Sequence, residues 1–175
     1  MSGMTGRQAA CAIAIAAALW AAPAAAEDLP TLGGSGDAPP APGWIGLCQA
    51  PARDAALDCR VEQRVVIRQT GQLVAQVTVR VPADTRKPVL MVRVPLGLSL
   101  DAGVTLDVDG GRAGNLPLQT CDAGGCYAGA PLRADLLAAM QKGDKLNIVF
   151  QNLDKAPIRL AMPLAGFGEA YAKIR

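Results

Sequence analysis

Between Thr70 and Pro82 the chain reads "TGQLVAQVTVRVP", in which Leu73, Ala75, Val77, Val79 and Val81 alternate with Val74, Gln76, Thr78 and Arg80. Period two is the side-chain period of an extended strand, so one face of this segment is apolar and the other mostly wet. An isolated strand leaves its amides and carbonyls without partners, which makes neighbouring strands obligatory. The segment therefore predicts a β-sheet with one face turned to a core. Thr70-Gly71, just ahead of it, suits a hairpin turn from a preceding strand.

The same pattern predicts strands at Trp44 to Gln49, Cys59 to Gln69, Leu73 to Val81, Val89 to Val94, Leu98 to Leu100, Val104 to Val108, Leu116 to Cys121, Leu146 to Gln151 and Ile158 to Pro163. Turn formers separate them at Asp101 to Gly103, Asp109-Gly110-Gly111 and Asn152 to Pro157. One helix is expected with Pro131 in its first turn, Leu132, Leu136, Leu137 and Met140 on one side and Lys142-Gly143 as its ending; a short second helix covers Phe167 to Ile174. Both are expected to pack on the sheet. Short strands at regular intervals, without alternating long helices, predict a mainly β chain: an antiparallel β-sandwich or barrel-like domain with one or two short helices.

Residues 1–26 read as an export signal. Arg7 is followed by an apolar run from Ala9 to Ala22, and Ala24-Ala25-Ala26 offers small residues for cleavage before Glu27. The run falls short of the roughly 20 residues of a transmembrane helix, so no stable transmembrane segment is expected in the mature chain. Residues 27–43 are dense in Gly and Pro and predict a flexible leader, followed by one domain over 44–175. The expected location is periplasmic, surface-associated or secreted.

Of the five cysteines, Cys11 falls in the expected signal. Cys48, Cys59, Cys121 and Cys126 remain, an even number that favours disulfides in an oxidising compartment. Cys121 and Cys126 are separated by four residues, a spacing open to a metal site, a redox pair or a structural staple. A metal site needs further ligands, and the chain has no histidine; the intervals to Cys48 and Cys59 are unequal for a four-thiolate set. A redox pair wants Cys-x-x-Cys at a helix start. The favoured reading is a local bridge across Gly124-Gly125, with Cys48 to Cys59 as the second, although four cysteines permit three pairings.

Lack of histidine also excludes a His-dependent hydrolase and a His-ligated zinc site. Asp101, Asp107 and Asp109 invite a calcium or paired-carboxylate reading, but "DVDGG" is better read as a strand ending in a turn. "GRAGN" from Gly111 lacks the lysine of a phosphate loop. Neither a catalytic nor a cofactor-binding or metal-binding residue is assigned. Arg60, Arg64, Arg68, Arg80, Arg86, Lys87 and Arg93 crowd the first half, as a strip for an acidic partner or glycan or simply as a solvated sheet face. With 17 basic against 15 acidic residues, nucleic acid is not an expected partner, and 3% aromatic residues make no stacking platform.

Several stretches together resemble the invasion-associated locus B family of exported bacterial proteins. They are Trp44 with Cys48 and Cys59, "VPLGLSLDAGVTLDVDGG" from Val94, "LQTCDAGGCYAG" from Leu118, "LLAAMQKGDKLNIVF" from Leu136 and "MPLAGFGEAYAKI" from Met162. The resemblance implies a periplasmic or surface-exposed β domain, associated in some members with entry of a bacterium into host cells, and carries over only the four cysteines, as structural bridges. The expected function is non-enzymatic, by binding an envelope or host-surface protein or glycan. The alternatives are a periplasmic thiol-disulfide protein using Cys121 and Cys126, or a β-sandwich that binds a small ligand or glycan.

Overall fold

Leu73–Val81 is a strand, with Ala75, Val77, Val79 and Val81 buried and Arg80 exposed on the opposite face. The computed structural model describes residues 43–50 and 52–175. The signal expected at 1–26, Cys11 within it and all of the expected leader except Gly43 lie outside the described residues.

Among the described residues, ten strands and two helices follow in the order β1 Ile45–Gln49, β2 Asp58–Val66, β3 Leu73–Val81, β4 Val89–Val94, β5 Val104–Val108, β6 Gly111–Leu116, β7 Leu118–Asp122, β8 Gly125–Pro131, α1 Ala134–Lys142, β9 Lys145–Gln151, β10 Pro157–Pro163 and α2 Phe167–Ala172. They form a six-stranded sheet ordered β1-β2-β3-β4-β8-β7 and a four-stranded sheet ordered β10-β9-β5-β6. All strand pairs are antiparallel. Neither sheet closes on itself, so the fold is a sandwich and not a barrel.

Val61, Val77, Val92 and Ala128 of the larger sheet, and Leu106, Leu146, Ile148, Phe150 and Met162 of the smaller, all belong to one buried core cluster. Leu136 and Met140 of α1, with Phe167, Ala170 and Tyr171 of α2, are buried in the same cluster. Helix α2 packs against β1 and β2. There the Trp44 ring meets Phe167 edge-on at 4.8 Å, Phe167 stacks on Tyr171 at 5.9 Å, and the Trp44 indole N–H donates to the Pro163 carbonyl at 3.1 Å.

Four local expectations are corrected. The strand expected from Leu116 to Cys121 is two strands, because Pro117 has no N–H to continue a ladder and the chain changes sheets there. Strand β8 carries no sequence signal of its own, and Pro131 ends it instead of opening α1. The segment Leu98 to Leu100 is not a strand: Leu98 makes an isolated bridge to Asn152, and Ser99 N–H donates to the Gln151 carbonyl at 3.0 Å. Strand β2 stops at Val66 after a bulge, where the Ile67 to Gly71 turn closes with Gly71 at φ 68°.

Candidate functional site

Four arginines, Arg60, Arg64, Arg80 and Arg93, gather on the outward face of the six-stranded sheet. In "DCRVEQR" every second residue, Asp58, Arg60, Glu62 and Arg64, shares one face of β2, with the charges alternating along it. Pairing register extends this face into three rows across the strands. One runs Leu47, Arg60, Arg80, Val89, Pro131; the next Ile45, Glu62, Thr78, Met91, Gly129; the third Arg64, Gln76, Arg93, Tyr127, Thr120.

Glu62 lies on this outer face yet is only 7% exposed. Its carboxylate accepts from Arg64 at 2.8 Å, Arg60 at 3.3 Å and the Gln76 amide at 3.2 Å, so its charge is shared among three donors. One row over, Arg80 pairs with Asp58 at 2.5 Å. The Ala83 amide, donating at 2.8 Å, and then Arg80 hold the Asp58 carboxyl below the ordinary aspartate range. The arginine strip expected from sequence is thus a set of oriented guanidiniums interleaved with carboxylates. Arg68 and Arg86 fall in turns outside it, Arg86 with φ 52°, and Lys87 lies in the same connection.

Arg93 reaches the β7–β8 turn, where its Nε donates to the Gly124 carbonyl at 2.7 Å and a second guanidinium nitrogen donates to the same oxygen. The turn is closed from the other side by Asp122, which accepts from the Gly124 amide at 2.7 Å and the Tyr127 hydroxyl at 3.2 Å. The Arg93 guanidinium lies 6.0 Å from the centre of the Tyr127 ring. Cys121 and Cys126, opposite each other in this hairpin, are joined with S–S 2.08 Å; Cys48 and Cys59 are joined across β1 and β2 with S–S 2.01 Å. In each pair the edge-strand cysteine is exposed and the inner one buried. Beside the hairpin, Gly129 has no side chain and Gln119 binds its carbonyl at 3.0 Å, leaving a shallow recess of about 410 Å³ bordered by Met91, Tyr127 and Pro131.

The structure does not bring Asp101, Asp107 and Asp109 together as one site. Asp107 accepts from the Gly110 amide at 2.8 Å and the Asn147 amide at 2.7 Å, and Asp109 accepts from the Asp144 and Lys145 amides at 2.9 Å each. Asp101 accepts from the Ser99 hydroxyl at 2.5 Å and lies 3.5 Å from Lys155, and these two groups lower its pKa. Each carboxylate holds backbone or neighbouring side chains in place. Among the described residues no group of three or more metal-ligating side chains converges.

Residues 44–175 match the family model described as "Invasion associated locus B (IalB) protein". The chain belongs to this family. Two IalB relatives, each named an invasion protein B homolog, from Brucella abortus strain 2308 and from Brucella abortus biovar 1 strain 9-941, are 31% identical over 133 residues, covering 75% of either chain. The crystal structure of invasion associated protein b from Bartonella henselae superposes with TM-score 0.66 at 24% identity, covering 76% of this chain and 90% of that one. Its likeness shows the sandwich fold. Among the described residues of this IalB chain, no helix is long and apolar enough to cross a membrane.

Two organising residues of the outer face carried no expectation from sequence: Asp58 and Glu62. Their signal was legible in "DCRVEQR", where charge sign alternates every second residue, the spacing of one strand face.

Proposed function

We propose that this IalB protein is an exported, non-enzymatic domain that acts by binding a protein or glycan of the bacterial envelope or the host-cell surface. Residues 1–26 serve as its export signal, residues 27–43 as a leader, residues 44–175 as the binding domain, and the two disulfides as structural bridges. The carrying observation is the outer sheet face, where guanidiniums fixed by Glu62, Asp58 and the Gly124 carbonyl stand beside exposed Ile45, Leu47 and Met91. Surfaces of that kind recognise partners; family membership supports a role connected with invasion.

Several features weigh against the alternatives. Leu90, Leu106, Ile148 and Met162 fill the space between the sheets at no more than 1% exposure, which argues against a ligand carried inside the sandwich. Cys121 and Cys126 sit in a hairpin, not at a helix start where a dipole would activate a thiol. Deletion of the gene, with measurement of host-cell entry and envelope integrity, tests the binding role: both properties unchanged would sink it. An insulin-reduction assay discriminates the redox alternative, which requires activity that disappears in Cys126→Ser.

A further inference from the structure

The middle row of the outer face is low in polarity. Ile45, Thr78, Met91 and Gly129 line up across β1, β3, β4 and β8, and the one charged member of the row, Glu62, is covered by the arginines it binds. Ile45 is 58% exposed and Met91 39%. Arg60 and Arg80 border the row on one side, Arg64 and Arg93 on the other.

From this arrangement we infer that the face docks an acidic polypeptide partner, which seats an apolar side chain in the recess over Gly129 beside Met91 and places carboxylates on the flanking arginine pairs. The inference rests on the binding role proposed above and adds the surface and the chemistry of the partner. Four arginines face three carboxylates here, Asp58, Glu62 and Asp122, all already engaged, so the unmatched charge is positive and calls for a negative partner. A second copy of the same face would meet it with like charge. Arginine and methionine are enriched where proteins meet proteins, and an apolar centre with a polar rim is the anatomy of such contacts. A sugar polymer would want aromatic platforms, and these rows hold one ring, Tyr127.

Pre-organisation strengthens the assignment. Arg60, Arg64 and Arg80 each commit a single nitrogen to the fold, and a guanidinium carries five N–H donors. Most of their donors remain for a partner, while the side chains are already held in place and lose less freedom on binding.

The test uses the purified protein and synthetic peptides displayed densely on a biosensor surface: one leucine flanked on each side by three acidic residues, the same peptide with glutamines replacing the acids, and the acidic peptide with glycine replacing leucine. Heparin on a parallel surface reports a sulfated glycan. The proposal expects binding to the acidic leucine peptide, at least about tenfold weaker with the double variant Arg64→Gln/Arg80→Gln. It also expects Gly129→Leu, whose Cβ would meet nothing nearer than the Leu90 carbonyl at 3.4 Å, to bind the leucine and glycine peptides alike. Melting temperatures check that the variants fold. Equal binding to acidic and glutamine peptides overturns the proposal, as does heparin binding that abolishes any preference for the peptide. If acidic peptides fail while the same protein restores host-cell entry to a deletion strain, the assigned face is wrong and the binding role stands.

Discussion

Replacing Cys48 and Cys59 together by alanine should destabilise the domain more than the same treatment of Cys121 and Cys126. The two bridges span 11 and 5 residues of sequence. Loop-closure entropy in the unfolded chain then gives about 2.8 kcal/mol for the first and about 2.1 kcal/mol for the second. Each substitution also removes a buried sulfur, at Cys59 or Cys126, worth roughly 1 kcal/mol more. The pairs tie β1 to β2 and β7 to β8, the two opposite edges of one sheet. Four strand spacings of about 4.8 Å put the two bridges roughly 19 Å apart, so the losses should add to within about 0.5 kcal/mol. A loss of about 7 kcal/mol in the quadruple variant is comparable to the roughly 5–15 kcal/mol that holds a domain folded. Urea unfolding of the wild type and the two paired variants measures this directly, each fitted for both ΔG and slope because an uncrosslinked unfolded state exposes more surface. A smaller loss at Cys48/Cys59 than at Cys121/Cys126, or bridges mapped by mass spectrometry to any other pairing, refutes the reasoning.

Gly125→Ala should cost about 2–4 kcal/mol in thermal unfolding, since Gly125 has φ 142° and a Cβ there would lie 2.5 Å from the Val94 carbonyl; a loss below 1 kcal/mol would show that the hairpin relaxes freely. Phe150→Ala, at a 2% exposed core position, should cost about 3–5 kcal/mol by the same measurement, and a near-neutral result would mean the core is not packed there. Arg133 holds the Asp135 carboxyl down to about 2 through their ion pair. A group whose folded pKa is depressed contributes stability above its unfolded value near 4, lost as pH falls through about 2. A carbonyl-detected NMR titration should find that low midpoint and see it rise toward 4 in Arg133→Gln; an unmoved midpoint would remove the pair as its cause.

Strand β3 was legible because β-branched residues alternate with polar ones and tertiary structure did not override them. Strand β8, "GCYAGAP", was illegible for a physical reason: it is built from small residues that packing requires. A Cβ at Gly125 would strike a backbone oxygen, and Ala128 lies wholly buried between Val92 and Leu118 in the register. Propensity rewards bulk, so a strand selected for thinness passes as a loop. Leu98 to Leu100 erred in the other direction, apolar enough for a strand but paired only at Leu98. At the candidate site the arginines were visible one by one. Their arrangement depended on strand register and on Glu62 and Asp58, and composition contains neither.

The bond from the Trp44 indole to the Pro163 carbonyl spans 119 positions of sequence, and the same tryptophan packs on Phe167. At ordinary rates of synthesis those partners emerge on the order of ten seconds after Trp44. The anchor at the start of the domain thus has no seat until almost all of the domain has been made, and β1 depends on α2 for its cover. Local hairpins form early, but the final closure waits for the C-terminal helix, as expected where long-range contacts dominate. A chain timed in this way remains threadable for most of its synthesis, a property that suits the exported role proposed above.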